Sequence, residues 1–165
     1  MSEELYSHVI SILVENKSGV IQRVTGLFTR RGFNIDSIAV GASEVEGLAR
    51  MVFVVKGDQK ILEQVIKQTN KLVDVVKVKD LDPNNSVKRE LCLVKVKTSD
   101  DKVRSEIMQY SDVFRAQIVD VCVNNLTVEI TGSPSKIDSF ISLLKPFGIK
   151  RIARTGMTAV PRGRG

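Results

Sequence analysis

A short polar segment, "NKSGV" from Asn16 to Val20, precedes a stretch with helical apolar spacing and could bind a charged small molecule. Backbone N–H groups at a helix start lack intrahelical partners and carry the positive end of the helix dipole, so they suit a carboxylate or a phosphate. Gly19 would let a ligand approach the backbone. Asn16 before the helix and Asn34 after it can each offer an amide oxygen to an ammonium group or an amide N–H to a carboxylate. Together these groups indicate a receptor for a zwitterion.

The positions of Asn16 and Asn34 limit how such a receptor could be built. The two residues flank a predicted helix of about 12 residues, or about 18 Å, which is too long for both to hold one small molecule within one domain. If two copies of the chain pair in antiparallel fashion, Asn16 of one copy can face Asn34 of the other. The alternative is that Asn16, Ser18 and Gly19 form only a turn and a helix cap, and that Asn34 is only a turn residue after the helix.

Residues that could perform catalysis are few. Cys92 and Cys122 stand in apolar runs without a CxxC spacing or a nearby histidine, which favours two buried thiols over a metal site. The one histidine, His8, lies in an apolar strand without a nucleophile or carboxylate at a motif spacing, so we expect a strand residue at or near a surface. The sequence therefore predicts a chain with no catalytic centre and no metal or cofactor of its own.

The net charge of +6 could serve a nucleic-acid partner, but its distribution argues against one. Lysines and arginines are scattered among acids, and their excess gathers late in the chain, at Lys145, Lys150, Arg151, Arg154, Arg162 and Arg164. This pattern is typical of a solvated, poorly ordered tail, so no nucleic acid is expected. No apolar run approaches the roughly 20 residues of a membrane span, and the acidic N-terminus is unlike a signal peptide. We expect a cytoplasmic protein with no membrane partner.

The elements that would position these groups occur in the same order twice. In the first half, Tyr6 to Val14 predicts a strand, and residues 20–28 predict a helix with Ser18 as its N-cap and Gly32 as the left-handed residue that ends it. The segments "IDSIAVGAS" and "LARMVFVVK" predict a hairpin, Asp58 caps a second helix, and "VDVVKVKDL" is a last strand. The order is βαββαβ.

The second half repeats this order after the segment "DPNNS". Its last helix begins with Ser133 as N-cap and Pro134 at the first helical position. We predict an α+β fold of two consecutive ferredoxin-like βαββαβ domains, residues 1–81 and 88–165, joined by a linker at 82–87 and ending in the basic tail. The strands of both halves look too apolar for the open face of each sheet to stay in water. We therefore expect a neighbouring domain or a second copy to cover part of this face, or the sheet to extend edge to edge, and we expect a homodimer.

A resemblance adds function to this pattern. "NKSGVIQRVTGLFTRRGFNIDSIAVG", "LARMVFVVKGDQKILEQVIKQTNKLVDVVKV", "VKRELCLVKV", "FRAQIVDV" and "IARTG" resemble the small regulatory subunits of acetolactate synthase, whose N-terminal domain is an ACT domain. The resemblance covers nearly the whole chain. It implies a non-catalytic subunit that forms a homodimer through its ACT domains, binds a large subunit carrying thiamine diphosphate, Mg²⁺ and FAD, raises its activity and makes it sensitive to valine or a related branched-chain amino acid.

The resemblance also places an effector site on particular residues. It implies that Asn16, Gly19 and Val20 of one ACT domain meet Asn34 and Ile35 of its partner, and it adds Lys17 and Ser18 because they lie in the same loop. The tail "TAVPRGRG" matches no motif, and we assign it no role.

Two other classes of protein use a similar order of elements. An RRM-like module would need exposed aromatic residues on its central strands to stack bases, and "ARMVFVVK" has one phenylalanine in an aliphatic run. An acylphosphatase-like enzyme would need an arginine in the loop before the first helix, where "ENKSGV" has only Lys17. The RRM-like module remains the principal alternative function.

Overall fold

The computed structural model describes residues 6–163, and it confirms two βαββαβ units with antiparallel sheets. One compact unit holds residues 6–87 together with residues 156–163, and the other holds Lys88–Thr155. The first six elements are β1 (Tyr6–Glu15), α1 (Val20–Arg30), β2 (Asn34–Ala42), β3 (Leu48–Gly57), α2 (Gln59–Thr69) and β4 (Val75–Leu81). The later elements are β5 (Ser86–Lys97), α3 (Asp101–Val113), β6 (Gln117–Cys122), β7 (Asn125–Gly132), α4 (Pro134–Leu144), a 3-10 turn (Lys145–Phe147), β8 (Ile149–Arg154) and β9 (Thr158–Pro161).

The sheet of the first unit has the strand order β2-β3-β1-β4, which leaves β2 and β4 at its edges. Alternate residues of β1 and β3 face α1 and α2 and form the main core with them. Phe28 of α1 stacks on Phe53 of β3 with their ring centroids 4.6 Å apart, and both rings are fully buried. The helices therefore cover one face of this sheet.

The ends of α1 differ in how well the sequence predicts them. Gly32 has φ +72°, its amide donates to Thr29 O, and the amide of Phe33 donates to Phe28 O, which confirms the predicted glycine stop. At the other end the prediction was wrong, because the N-cap is Gly19 and not Ser18. Gly19 has φ +81°, and no side chain caps the helix.

The second unit has the strand order β6-β7-β5-β8 and its own core beneath α3 and α4. Asp58 of the first unit and Ser133 of the second both accept the hydrogen bonds expected of helix caps, from Ile61 N and Lys136 N. The thiol of Cys92 is buried as expected, but Cys122 is exposed, so the prediction of two buried thiols is wrong for Cys122. Cys122 is the last residue of β6, next to the turn into β7. At this strand end its side chain is exposed, although the surrounding sequence is apolar.

The open face of the first sheet is partly covered by the chain's own C-terminal segment. Met157 and Ala159 form a buried cluster with residues of β1, β3 and β4, namely Val9, Val52, Val54 and Leu81. The amide of Met157 donates to Ser37 Oγ at 3.4 Å, and that of Arg162 donates to Asn85 O at 2.9 Å. This segment therefore packs with the first unit, although the sequence prediction assigned it to the second domain as a poorly ordered tail.

The open face of the second sheet is more polar than expected. Because Cys92, Val94 and Val96 point into the core, the alternate positions of β5 point outward. Lys95 is one of these outward residues, and its ammonium group lies 3.9 Å from the carboxylate of Asp120. The open face of this sheet therefore carries both charged and apolar side chains, since Leu91 and Leu93 lie on the same face as Lys95. Within residues 6–163, no helix is both long and apolar enough to cross a membrane.

Candidate effector-binding site

The loop between β1 and α1 is held on both sides by backbone hydrogen bonds. The amide of Glu15 donates to Asp74 O at 2.9 Å, and the amide of Asn16 donates to Gly47 O at 2.9 Å. Gly47 belongs to the β2–β3 turn, and Asp74 precedes β4. The backbone of Asn16 is therefore fixed, while its side chain stays exposed.

The start of α1 offers free hydrogen-bond donors. Val20 N makes only a long bond of 3.4 Å to Lys17 O, and the first regular helical bond runs from Arg23 N to Gly19 O. Among the described residues, the amides of Ile21 and Gln22 meet no acceptor. The left-handed Gly19 carries no side chain to cover these amides, so this helix start can receive an anionic group.

Val20 and the four residues before it differ in their exposure to solvent. Val20 is buried in the core of the first unit and anchors the helix start. Asn16, Lys17, Ser18 and Gly19 are all exposed. The structure therefore places these five predicted residues together, with only the first four open to a ligand.

Two ion pairs surround this loop. Lys17 Nζ lies 2.6 Å from Glu15 Oε2, and the hydrogen bond and charge of Glu15 raise the pKa of Lys17. Arg23 donates from Nε to Asp74 Oδ2 at 2.7 Å, and its guanidinium would lie 3.1 Å from a Cβ placed on Gly19. Sequence reasoning missed Arg23 and Asp74. Arg23 could have been found from its i+4 spacing to Gly19, but Asp74 lies 51 residues from Arg23 and gave no local signal.

Asn34 and Ile35 lie at the far end of α1. Asn34 is exposed and starts the edge strand β2 opposite Lys56 of β3, while Ile35 packs against the core. The 11 residues of α1 span about 16 Å, so a single chain does not bring Asn34 to the Asn16 loop.

His8 and Cys92, which were considered for catalysis or metal binding, both have structural surroundings. His8 Nε2 lies 3.2 Å from Gly57 O in the neighbouring strand. Burial raises the pKa of the Cys92 thiol, which keeps it protonated and unreactive. Within the described part of the chain, no three side chains of the metal-binding types cluster together.

The aromatic residue that an RRM-like module would need is not available. Phe53 is the phenylalanine of "ARMVFVVK", and its ring is buried on the helix side of the sheet. A base could not stack on it without displacing Phe28.

A βαββαβ unit with a glycine loop before its first helix has the arrangement of an ACT domain. Residues 10–77 match the AHAS small subunit-like ACT domain, and residues 89–163 match the family described as small subunit of acetolactate synthase. The chain is 59% identical over 157 residues to the probable acetolactate synthase small subunit of Methanothermobacter thermautotrophicus, covering 95% of this chain and 94% of that one. It is 46% identical over 163 residues to the acetolactate synthase small subunit of Mycolicibacterium smegmatis, covering 99% and 95%.

Comparison with a solved structure indicates the same family as these relatives. The acetolactate synthase small subunit from Thermotoga maritima superimposes with a TM-score of 0.91 at 49% identity, covering 97% of this chain and 99% of that one. The chain therefore belongs to the family of acetolactate synthase small subunits.

Proposed function

We propose that this chain binds the catalytic large subunit of acetolactate synthase, raises its activity and makes it respond to valine or a related branched-chain amino acid. Its relatives are named as small subunits of this enzyme, which supports a large-subunit partner. In this proposal the chain is non-catalytic, and thiamine diphosphate, Mg²⁺ and FAD belong to the large subunit.

The exposed, uncapped start of α1 is the observation that carries the effector site. The free amides of Ile21 and Gln22 would bind the effector's carboxylate, and Gly19 would leave room for it. Asn16 lies in the loop that leads to this helix start, and its backbone is held by Gly47. The effector's ammonium group needs an oxygen acceptor, which an asparagine side chain supplies.

The second half of the site would come from another copy of the chain. Asn34 and Ile35 begin β2, an edge strand of the first sheet. The exposed residues Ile38 and Val40 on the same strand add apolar surface to this edge. An antiparallel meeting of two such edges would bring Asn34 and Ile35 of one copy to the Asn16 loop of the other, which supports a homodimer built through the ACT domains.

The test is reconstitution with the cognate large subunit. Acetolactate formation from pyruvate is measured for the large subunit alone, for this chain alone, and for the mixture with and without valine, leucine and isoleucine. We expect a silent small subunit, several-fold activation in the mixture and inhibition by at least one of the three amino acids. Comparable acetolactate formation by this chain alone, or a mixture no more active than the large subunit, would contradict the proposal.

A further inference from the structure

The open face of the first sheet contains a second candidate ligand site. A cavity of about 470 Å³ lies there, within the range of small-molecule pockets. Its walls come from β1, β3 and β4, from the β2–β3 turn and from the C-terminal segment. Because α1 covers the other face of this sheet, the cavity is separate from the candidate effector site.

One side of the cavity is built around Arg50. This guanidinium donates to both carboxylate oxygens of Glu44, at 2.8 and 3.0 Å, and to Ser11 Oγ at 3.2 Å. A hydrogen bond from its own backbone and the ion pair with Arg50 lower the pKa of Glu44, so this carboxylate stays charged near neutral pH. Arg50 is thus fixed in position, with its charge balanced by Glu44.

Ser11 contributes a buried donor. The residue is only 5% exposed, and its oxygen accepts the bond from Arg50. A hydroxyl group can also donate one hydrogen bond. Within residues 6–163, the Ser11 hydroxyl has no acceptor for its proton, so it can donate to a ligand in the cavity.

Two lysines give the cavity its net charge. Lys77 and Lys79 are alternate residues of β4, so both point to the open face. Neither ammonium group lies within 4.0 Å of a carboxylate in the described part of the chain. Since Glu44 offsets Arg50, the two lysines leave the cavity with a net charge of +2.

The rest of the lining is apolar and includes the C-terminal segment. Leu81 of β4 and Val160 and Pro161 of β9 contribute apolar surface to the cavity wall. Such a wall suits the carbon skeleton of an organic ligand, whereas a bare inorganic ion would leave it unfilled.

We propose that this cavity binds a small organic dianion, either a phosphate monoester or a dicarboxylate. Lys77 and Lys79 balance its two negative charges, the Ser11 hydroxyl donates to one of its oxygens, and its carbon skeleton packs against Val160 and Pro161. The C-terminal segment, which matched no sequence motif, thereby forms a wall of the site.

The test is calorimetric titration of the full chain with phenyl phosphate and with succinate, in a buffer without phosphate. Sodium chloride at matched ionic strength is the blank. We expect saturable one-to-one binding of at least one probe, and the probe that saturates identifies the class of dianion. Lys77→Gln and Lys79→Gln should each weaken binding roughly tenfold, and the double variant should abolish it.

Lys67→Gln is the matched control, because it removes the same charge from an exposed position on α2. It should bind like the parent chain. Amide chemical shifts should move at Ser11, Lys79 and Val160 during the titration. No saturable binding of either probe, binding by the double variant that equals the parent, or an equal loss in Lys67→Gln would each overturn the proposal.

Discussion

The amide of Asn16 donates a hydrogen bond of 2.9 Å to the carbonyl oxygen of Gly47. The second unit repeats this bond, because the amide of Thr98 donates to Asn124 O at 3.0 Å. In each unit the bond ties the loop before the first helix to the turn of the following hairpin. The two units therefore share the frame of the candidate effector site.

The two units differ in the N-cap residue of their first helix, which determines whether the backbone N–H groups at the helix start are free to bind a ligand. In the second unit the carboxylate of Asp100 accepts a hydrogen bond from Val103 N and so occupies the start of α3. In the first unit the N-cap is Gly19, and the start of α1 has no such carboxylate. The carboxylate of a zwitterionic effector would therefore find an open helix start at α1 and not at α3.

Replacing Gly19 tests this difference. Gly19→Asp would supply a carboxylate like that of Asp100, so we expect valine to inhibit the reconstituted enzyme at least tenfold less well, while activation persists. Gly19→Asn has the same size and the same strain at φ +81° but no charge, and should keep more of the response. Both variants should lose about 1–2 kcal/mol of unfolding free energy. Valine inhibition curves for the two variants are the measurement, and identical curves would contradict an anion site here.

The two-chain site predicts complementation between damaged chains. Asn16→Ala and Asn34→Ala should each cost about 1.5–3 kcal/mol of effector binding, or roughly 10- to 150-fold in affinity. A mixed dimer has one site with both asparagines and one with neither. Calorimetry on a co-refolded mixture should therefore show a minority of tight valine sites, which neither variant shows alone.

The control for this experiment is Asn70→Ala, at the exposed C-cap of α2, which should bind valine like the parent. If chain exchange is confirmed and no tight class of sites appears, either both asparagines belong to one chain's site or one of them is only a turn residue.

The packing of the C-terminal segment predicts a difference between two methionines. Met157 is 8% exposed in the cluster on the open face of the first sheet, whereas Met108 of α3 is 47% exposed. Met157→Ala should lower the free energy of unfolding by about 2–3 kcal/mol, and Met108→Ala by less than about 1 kcal/mol. Urea titrations measure both values. Equal losses would show that Met157 does not hold the segment in place.

The cap of α3 predicts a pH dependence. The hydrogen bonds from Val103 N and from Ser99 lower the pKa of Asp100 below its usual 3.8 in the folded chain. Because the folded pKa is the lower one, the stabilisation is fully present well above pH 3.8 and is lost as the pH falls through the folded pKa. Asp100→Asn keeps a capping oxygen without the charge. The melting temperatures of parent and variant should therefore differ most at neutral pH and converge in acid, and a constant difference would contradict this cause.

Local chemistry explains the features that the sequence alone predicted. Asp58, Ser133 and Gly32 act within one turn of their own helices, so their types and spacing were enough to place these helix ends. The alternation of apolar residues likewise predicted both sheets and the cores beneath the helices. The residue types of the loop at positions 16–20 also suggested an effector site, and this role stays a prediction.

Tertiary contacts decided the rest. Ser18 has the right type for an N-cap, but the loop is held by Gly47 and Asp74, and the left-handed turn at Gly19 starts the helix one residue later. Met157 reaches Ser37 across 120 residues of sequence. Contacts at such separations depend on which surfaces the completed sheet leaves open, and short segments of sequence carry no periodic signal for them. The coverage of the open face and the charged cavity beside it therefore arise only when the chain has folded.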